Sequence, residues 1–142
     1  VIVNDVDRSV LVVRDTGTAR GRGVFAGQAI KRGTLVEAAP VVLITSPWET
    51  IPLEFRKILY DWQAIGGKEA GHALALAYGS LFNSTNPANL KFRASACNGF
   101  VLYTAARDIA EGEELMINYD SEDGSAESSE SWWFEQFKEE RV

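Results

Sequence analysis

Cysteine and histidine are nearly absent from this sequence and basic residues are outnumbered by acidic ones, and each shortage closes off a class of function. With one cysteine, Cys97, in 142 residues, no internal disulfide and no multi-thiolate zinc site can form, and the single histidine, His72, adds little to a metal site. A reducing, intracellular setting, nuclear or cytoplasmic, is expected, with no structural metal. Fourteen Lys and Arg stand against twenty Asp and Glu, a net charge of −6, so the clustered cations that neutralise phosphates are missing. A basic protein or peptide is the expected partner, and direct nucleic-acid binding is not. No apolar run approaches the ~20 residues that span a bilayer, and the first residues lack a basic-then-apolar signal pattern, so no membrane association is expected.

What is present is enough apolar residue, 46%, to bury one core, and the length suits a single domain over residues 1–142. Short strands dominate the first half. Val10 to Val13, Val24 to Ala26, Leu35 to Glu37 and Val41 to Ile44 read as strands punctuated by Asp15-Thr16-Gly17, Gly21-Arg22-Gly23 and a turn at Lys31-Arg32-Gly33. Phe55, Ile58, Leu59 and Trp62 fall at i, i+3, i+4 and i+7 after Pro52, which predicts a helix with one buried stripe, broken by Gly66-Gly67. Ala73 to Ala77 is apolar without a period that separates strand from helix. Phe100 to Ala105 and Leu115 to Tyr119 read as strands joined by an acidic turn at Ala110-Glu111-Gly112. Residues 120–131 hold five acidic residues, five serines and no basic residue, which predicts a mobile loop. Trp132, Trp133, Phe134 and Phe137 then predict a short amphipathic helix over 132–142.

Two segments carry chemistry. An asparagine-rich turn after an apolar run, Gly79 to Asn89, offers a polar wall, and a strand ending on Tyr119 brings a phenol to the core's edge. Taken alone, each also fits an ordinary interaction domain, with amides bonding their own backbone and the tyrosine capping a strand.

Taken in order, the motifs resemble the SET-domain protein lysine methyltransferases. Gly21-Arg22-Gly23-Val24-Phe25-Ala26 is similar to that family's opening Gly-x-Gly, and Ile30 to Glu37 to the stretch that follows. Leu81-Phe82-Asn83-Ser84-Thr85 with Pro87 and Asn89 resembles its Asn-His-Ser and Pro-Asn segment. Arg107-Asp108-Ile109, Gly112-Glu113-Glu114-Leu115 and Tyr119 resemble its closing strand. The short length and single cysteine are most like the minimal viral and microbial members, which lack zinc-binding flanking modules.

That resemblance implies a mostly-β, SET-like β-clip fold: small curled sheets, one or two short helices and a knot-like threading of the C-terminal strand. It implies S-adenosyl-L-methionine as cofactor and methyl transfer to a lysine of a basic protein segment such as a histone tail. Tyr119 would stand at the transfer centre. Gly21 and Gly23 would let backbone approach the cofactor, Arg22 would orient its carboxylate, and Asn83 would meet its amino-acid end. Ser84 stands where the family has a histidine whose main chain holds adenine, and this departure also admits a catalytically degenerate module that only binds a basic peptide. Trp133 would stack on adenine, or with Trp132 would staple the last helix to the core. Tyr78 and Tyr103 would line the lysine channel, and Ile117 sits where family members often carry an aromatic that influences the number of methyl groups added. Small members often pair, so a homodimer is expected.

Overall fold

A run of apolar residues can be buried on both faces only if the chain passes between layers, and this chain does so repeatedly. The computed structural model describes residues 7–95 and 99–119. Its strands are β1 Leu11–Asp15, β2 Arg22–Ala26, β3 Leu35–Ile44, β4 Leu59–Asp61, β5 His72–Ala75, β6 Asn83–Ser84, β7 Leu90–Ser95, β8 Phe100–Ala105 and β9 Glu114–Ile117, with one four-residue helix, α1 Leu53–Arg56. One sheet runs β1-β2-β9-β6 and the other β4-β5-β3-β8-β7. These are the small curled sheets that the resemblance implies.

The apolar run at Val10 to Val13 forms most of β1, which pairs antiparallel with β2 from Leu11↔Ala26 to Asp15↔Arg22. Gly21 ends the connecting turn at φ +76°, a conformation that side-chain-bearing residues rarely adopt. The long strand β3 changes partner along its length. Its residues Leu35 to Pro40 pair with β8, and Val41 to Ile44 pair with β5. Pro40 has no N–H to give to a ladder, and it sits where one partner is exchanged for the other. The core lies between the two sheets, with Val24, Ala26, Leu115 and Ile117 from one side and Val36, Ala39, Val101 and Tyr103 from the other.

The predicted helix over Phe55 to Trp62 is not what forms. Helix α1 stops at Arg56, and Leu59 to Asp61 instead pairs with β5 through Leu59↔Leu74, Tyr60↔Ala73 and Asp61↔His72. Leu59 and Trp62 are buried as expected, whereas Phe55 is 47% and Ile58 37% exposed, so half the supposed stripe faces water. A free sheet edge offers β4 ladder bonds and cross-strand packing that outweigh a helical spacing. The undecided stretch from Ala73 is the strand β5 through Ala75.

Gly79 is packed tightly near the site. A methyl group there would come within 2.6 Å of Ala75 Cβ and 2.7 Å of Ala39 Cβ, both on sheet backbones that cannot swing away. Gly79→Ala is therefore expected to cost about 1–3 kcal/mol of stability, read as a lowered urea midpoint at unchanged slope.

Candidate functional site

The last strand and the asparagine-rich turn meet as neighbours. β6 pairs with β9 in parallel, Asn83 with Met116 and Ser84 with Ile117, and the amide of Thr85 extends the ladder by donating to the Ile117 carbonyl at 2.9 Å. Parallel strands cannot be closed by a tight hairpin, and here the intervening chain forms β7 and β8 in the other sheet. Asn89 completes the clamp. Its Oδ1 accepts from the Met116 N–H at 2.8 Å and its Nδ2 donates to the Glu114 carbonyl at 2.8 Å, so a buried side chain replaces a missing strand neighbour.

Asn83 ties three chain segments together. Its Nδ2 donates to the Arg22 carbonyl at 3.0 Å and to Glu114 Oε2 at 2.7 Å. Both amide protons are then used, and Oδ1 is the group left over. Gly23 makes this convergence possible, since a Cβ there would lie 2.5 Å from Glu114 Oε2 and 3.0 Å from Asn83 Nδ2. Arg22 itself is exposed and its guanidinium pairs with no described residue. Gly21, Arg22, Gly23, Asn83 and Ser84 are thus one cluster, with Glu114 added.

Tyr119 lies just beyond β9 and is held at both ends by the Phe82 to Ser84 segment. Its amide donates to Ser84 Oγ at 3.1 Å, and its phenol donates to the Phe82 carbonyl at 3.1 Å. Ser84, at the position where the sequence departs from the family pattern, therefore supplies a hydroxyl that fixes the tyrosine's backbone.

Beside Tyr119 lies a small, partly open cleft of about 10 Å³ lined by Lys57, Ile58, Tyr60, Gly79, Ser80, Phe82 and Tyr119. No carboxylate is among the described residues that line it. Tyr60 and Tyr103 form its buried support: their hydroxyls are 2.8 Å apart and lie 3.2 and 3.1 Å from the Gly79 carbonyl. Two protons must serve three contacts, so one phenol donates to the other and the second donates to the carbonyl. Burial raises both phenols above the ordinary tyrosine range, so they remain neutral donors at any working pH.

Behind the cleft, the fully buried Glu37 anchors the loop that forms its floor. Oε1 accepts from Arg8 Nε at 2.6 Å and from the Ala38 N–H at 2.8 Å, and Oε2 accepts from the Tyr78 N–H at 3.0 Å. Ala77, immediately before, holds φ +50°, an uncommon value for a residue with a side chain. The carboxylate thus fixes a strained bend two residues ahead of Gly79.

The three residues expected along the channel stand away from the cleft lining. Tyr103 is fully buried in the core and supports the cleft through Tyr60 instead of lining it, because its position on β8 points between the sheets. Ile117 is likewise fully buried, packed in the core from β9. Tyr78 is half-buried against the core and outside the cleft lining. Tyr60, Lys57, Glu114 and Glu37 were missed. The alternation of Tyr60 and Trp62 in a period of two was the available signal for β4, obscured by the competing helical spacing. Trp133, the acidic loop, the aromatic helix over 132–142 and Cys97 lie outside the described residues.

Among the described residues no group of His, Cys, Asp and Glu side chains is arranged to hold a metal, and no helix is long and apolar enough to cross a membrane. Comparison with known proteins matches residues 21–120 to the SET domain. A histone-lysine N-methyltransferase of Schizosaccharomyces pombe, described as specific for H3 lysine-37, is 32% identical over 117 residues, covering 80% of this chain and 76% of that protein. Among solved structures, a candidate histone methyltransferase of Plasmodium falciparum superposes with TM-score 0.65 at 24% identity, covering 89% of this chain and 99% of that one. The Cryptosporidium protein CpSET8 superposes with TM-score 0.57 at 21% identity, covering 77% of this chain and 56% of that one, and both structures speak to the fold alone. The yeast relative, with the domain match, supports protein-lysine methyltransferase activity in general terms. With its glycine turn, its Asn83 segment and its closing tyrosine all inside the matched region, the chain belongs to the SET-domain family.

Proposed function

We propose that the chain is an S-adenosylmethionine-dependent protein-lysine N-methyltransferase acting on a basic protein segment such as a histone tail, in the nucleus or cytoplasm. The observation that carries this reading is the position of Tyr119, tied to the Asn83 and Ser84 cluster on one side and lining the cleft on the other. The groups around Asn83 suit the amino-acid end of such a cofactor. Arg22 offers an unpaired guanidinium for a carboxylate, while Asn83 Oδ1 and the Glu114 carboxylate offer acceptors for an ammonium. When bound, the cofactor would supply a methyl group made electrophilic by a sulfonium.

The chain's own residues do the rest by orientation and exclusion. Tyr119, its proton committed to the Phe82 carbonyl, turns oxygen lone pairs toward polarised C–H and N–H groups at the inner end of the cleft. An entering lysine finds no carboxylate among the described lining residues to hold its charge and meets Lys57 at the wall. Desolvation and a like charge both favour the neutral amine, which is the form that can attack. The neutral phenols of Tyr60 and Tyr103 keep Gly79 and the cleft wall in place without competing as bases.

The test is transfer of a labelled methyl group to a panel of histone and other basic peptides, read by mass spectrometry. Modified lysine is the expected product. Absence of S-adenosylmethionine binding by calorimetry would overturn the reading and leave a peptide-binding module. Ser84→Ala removes the acceptor for the Tyr119 amide, so kcat is expected to fall about tenfold, the equivalent of one hydrogen bond of ~1.4 kcal/mol, with Ser84→Thr recovering most of it.

A further inference from the structure

We infer that Lys57 is itself a methyl acceptor, modified intramolecularly in the cleft that it lines. This rests on the proposed methyltransferase reading and goes beyond it by naming a site of self-modification. Lys57 and Tyr119 line the same cleft, and among the described residues that line it Lys57 alone carries an amine. Its neighbour Arg56 is fully engaged: Nε donates to the Ile51 carbonyl at 2.8 Å, Nη2 donates to the Glu49 carbonyl at 3.1 Å, and the guanidinium lies 5.3 Å from the Trp48 ring centroid. Those contacts hold the end of α1, and the Ile58 N–H donates to the Phe55 carbonyl at 3.0 Å, so the backbone carrying Lys57 is fixed. The Lys57 side chain, by contrast, is exposed and makes no hydrogen bond or ion pair with any described residue. A flexible four-carbon stem on a fixed backbone beside the transfer centre is a tethered nucleophile, present at an effective concentration that no free peptide matches.

The chemistry balances with S-adenosylmethionine as the only co-reactant. The lone pair of the neutral Lys57 amine forms a nitrogen–carbon bond as the bond from that carbon to sulfur breaks. The breaking pair stays on sulfur, which becomes a neutral thioether, and the extra proton on nitrogen leaves to water. Among the described residues that line the cleft Lys57 alone is ionisable besides the neutral phenols of Tyr60 and Tyr119, and Arg56 precedes it with its guanidinium turned to Ile51 and Glu49.

The full chain is incubated with S-adenosylmethionine and no peptide, then analysed by intact mass and peptide mapping. The expected result is a methyl increment located on Lys57, formed at a rate per molecule that stays constant through about a tenfold dilution, as an intramolecular step requires. In Tyr119→Phe, where turnover is slow, bound S-adenosylmethionine should slow acylation of Lys57 by an amine-reactive reagent, which reads the amine's place beside the cofactor independently of turnover. Lys57→Arg should abolish the increment, with its thermal midpoint confirming that it folds. If panel peptides are methylated while Lys57 stays unmodified, or if the rate rises with protein concentration, the inference is overturned and the methyltransferase reading stands. If neither peptide nor chain takes up a methyl group, both fall.

Discussion

Tyr119→Phe is expected to lower kcat for methyl transfer about 10²–10³-fold, the cost typical of removing one pre-aligned polar group from a reaction centre. The phenol oxygen is the polar atom that the closing segment brings to the cleft, and its alignment is fixed from two directions, by Phe82 at the hydroxyl and by Ser84 at the amide. The substitution keeps the ring, the backbone and the Ser84 bond. The hydroxyl and its bond to the Phe82 carbonyl are lost, worth about 1 kcal/mol, so the thermal midpoint should move by no more than a few degrees. Activity and stability should therefore part company. A variant that keeps activity within threefold of the parent, or one that simply unfolds, would remove Tyr119 from the chemistry. Peptide KM should change little, because the oxygen acts on the reacting atoms and makes no contact along a substrate chain.

Glu37→Ala is the counterpart, with its largest effect on stability. The carboxylate is fully buried and takes hydrogen bonds from Arg8, Ala38 and Tyr78. Its removal strands two backbone N–H groups at about 1–2 kcal/mol each and adds a cavity term of about 1 kcal/mol, for a loss of about 3–5 kcal/mol. Arg8 contributes little to that loss, since its side chain is 39% exposed and water can take over its hydration. Glu37→Gln should recover roughly half, because an amide oxygen can still accept from one or two of the three donors. Chemical denaturation of both variants decides the matter. Equal losses for Ala and Gln would mean that the carboxylate's charge, and not its acceptor geometry, holds the loop.

How much of this was legible in the residues depends on whether the signal was local. The strands at Leu11, Val24, Leu35, Phe100 and Leu115 declare themselves by β-branched and apolar runs between glycine turns, and they form near those positions. The association of Asn83 with Tyr119 came through resemblance, because no periodicity within either segment reports a parallel pairing to the other. The failures have a common cause. Leu59 and Trp62 are buried in the same way on a helix stripe or in a strand, and only the edge of β5 decides between them, which no window around residue 59 contains. Tyr103 was assigned to a channel wall when it stands one layer behind, with Tyr60 in the position expected of it. Glu37 was read as part of a strand, and its charge gave no hint that Arg8 and the amide of Tyr78 would close around it.

The parallel union of β6 with β9 also bears on how the chain reaches its working form. Asn83 must wait for Met116, and Val24 for Leu115, so the transfer centre depends on pairings that span much of the polypeptide. Such long closures are entropically slow to achieve and tend to complete late in folding. During synthesis, the half-site built by β1 and β2 emerges early but has nothing to act with until the Glu114–Ile117 strand leaves the ribosome. On the proposed function, methyl transfer therefore waits on this pairing, and a nascent chain lacks the site until the Glu114–Ile117 strand has joined Asn83 and Ser84.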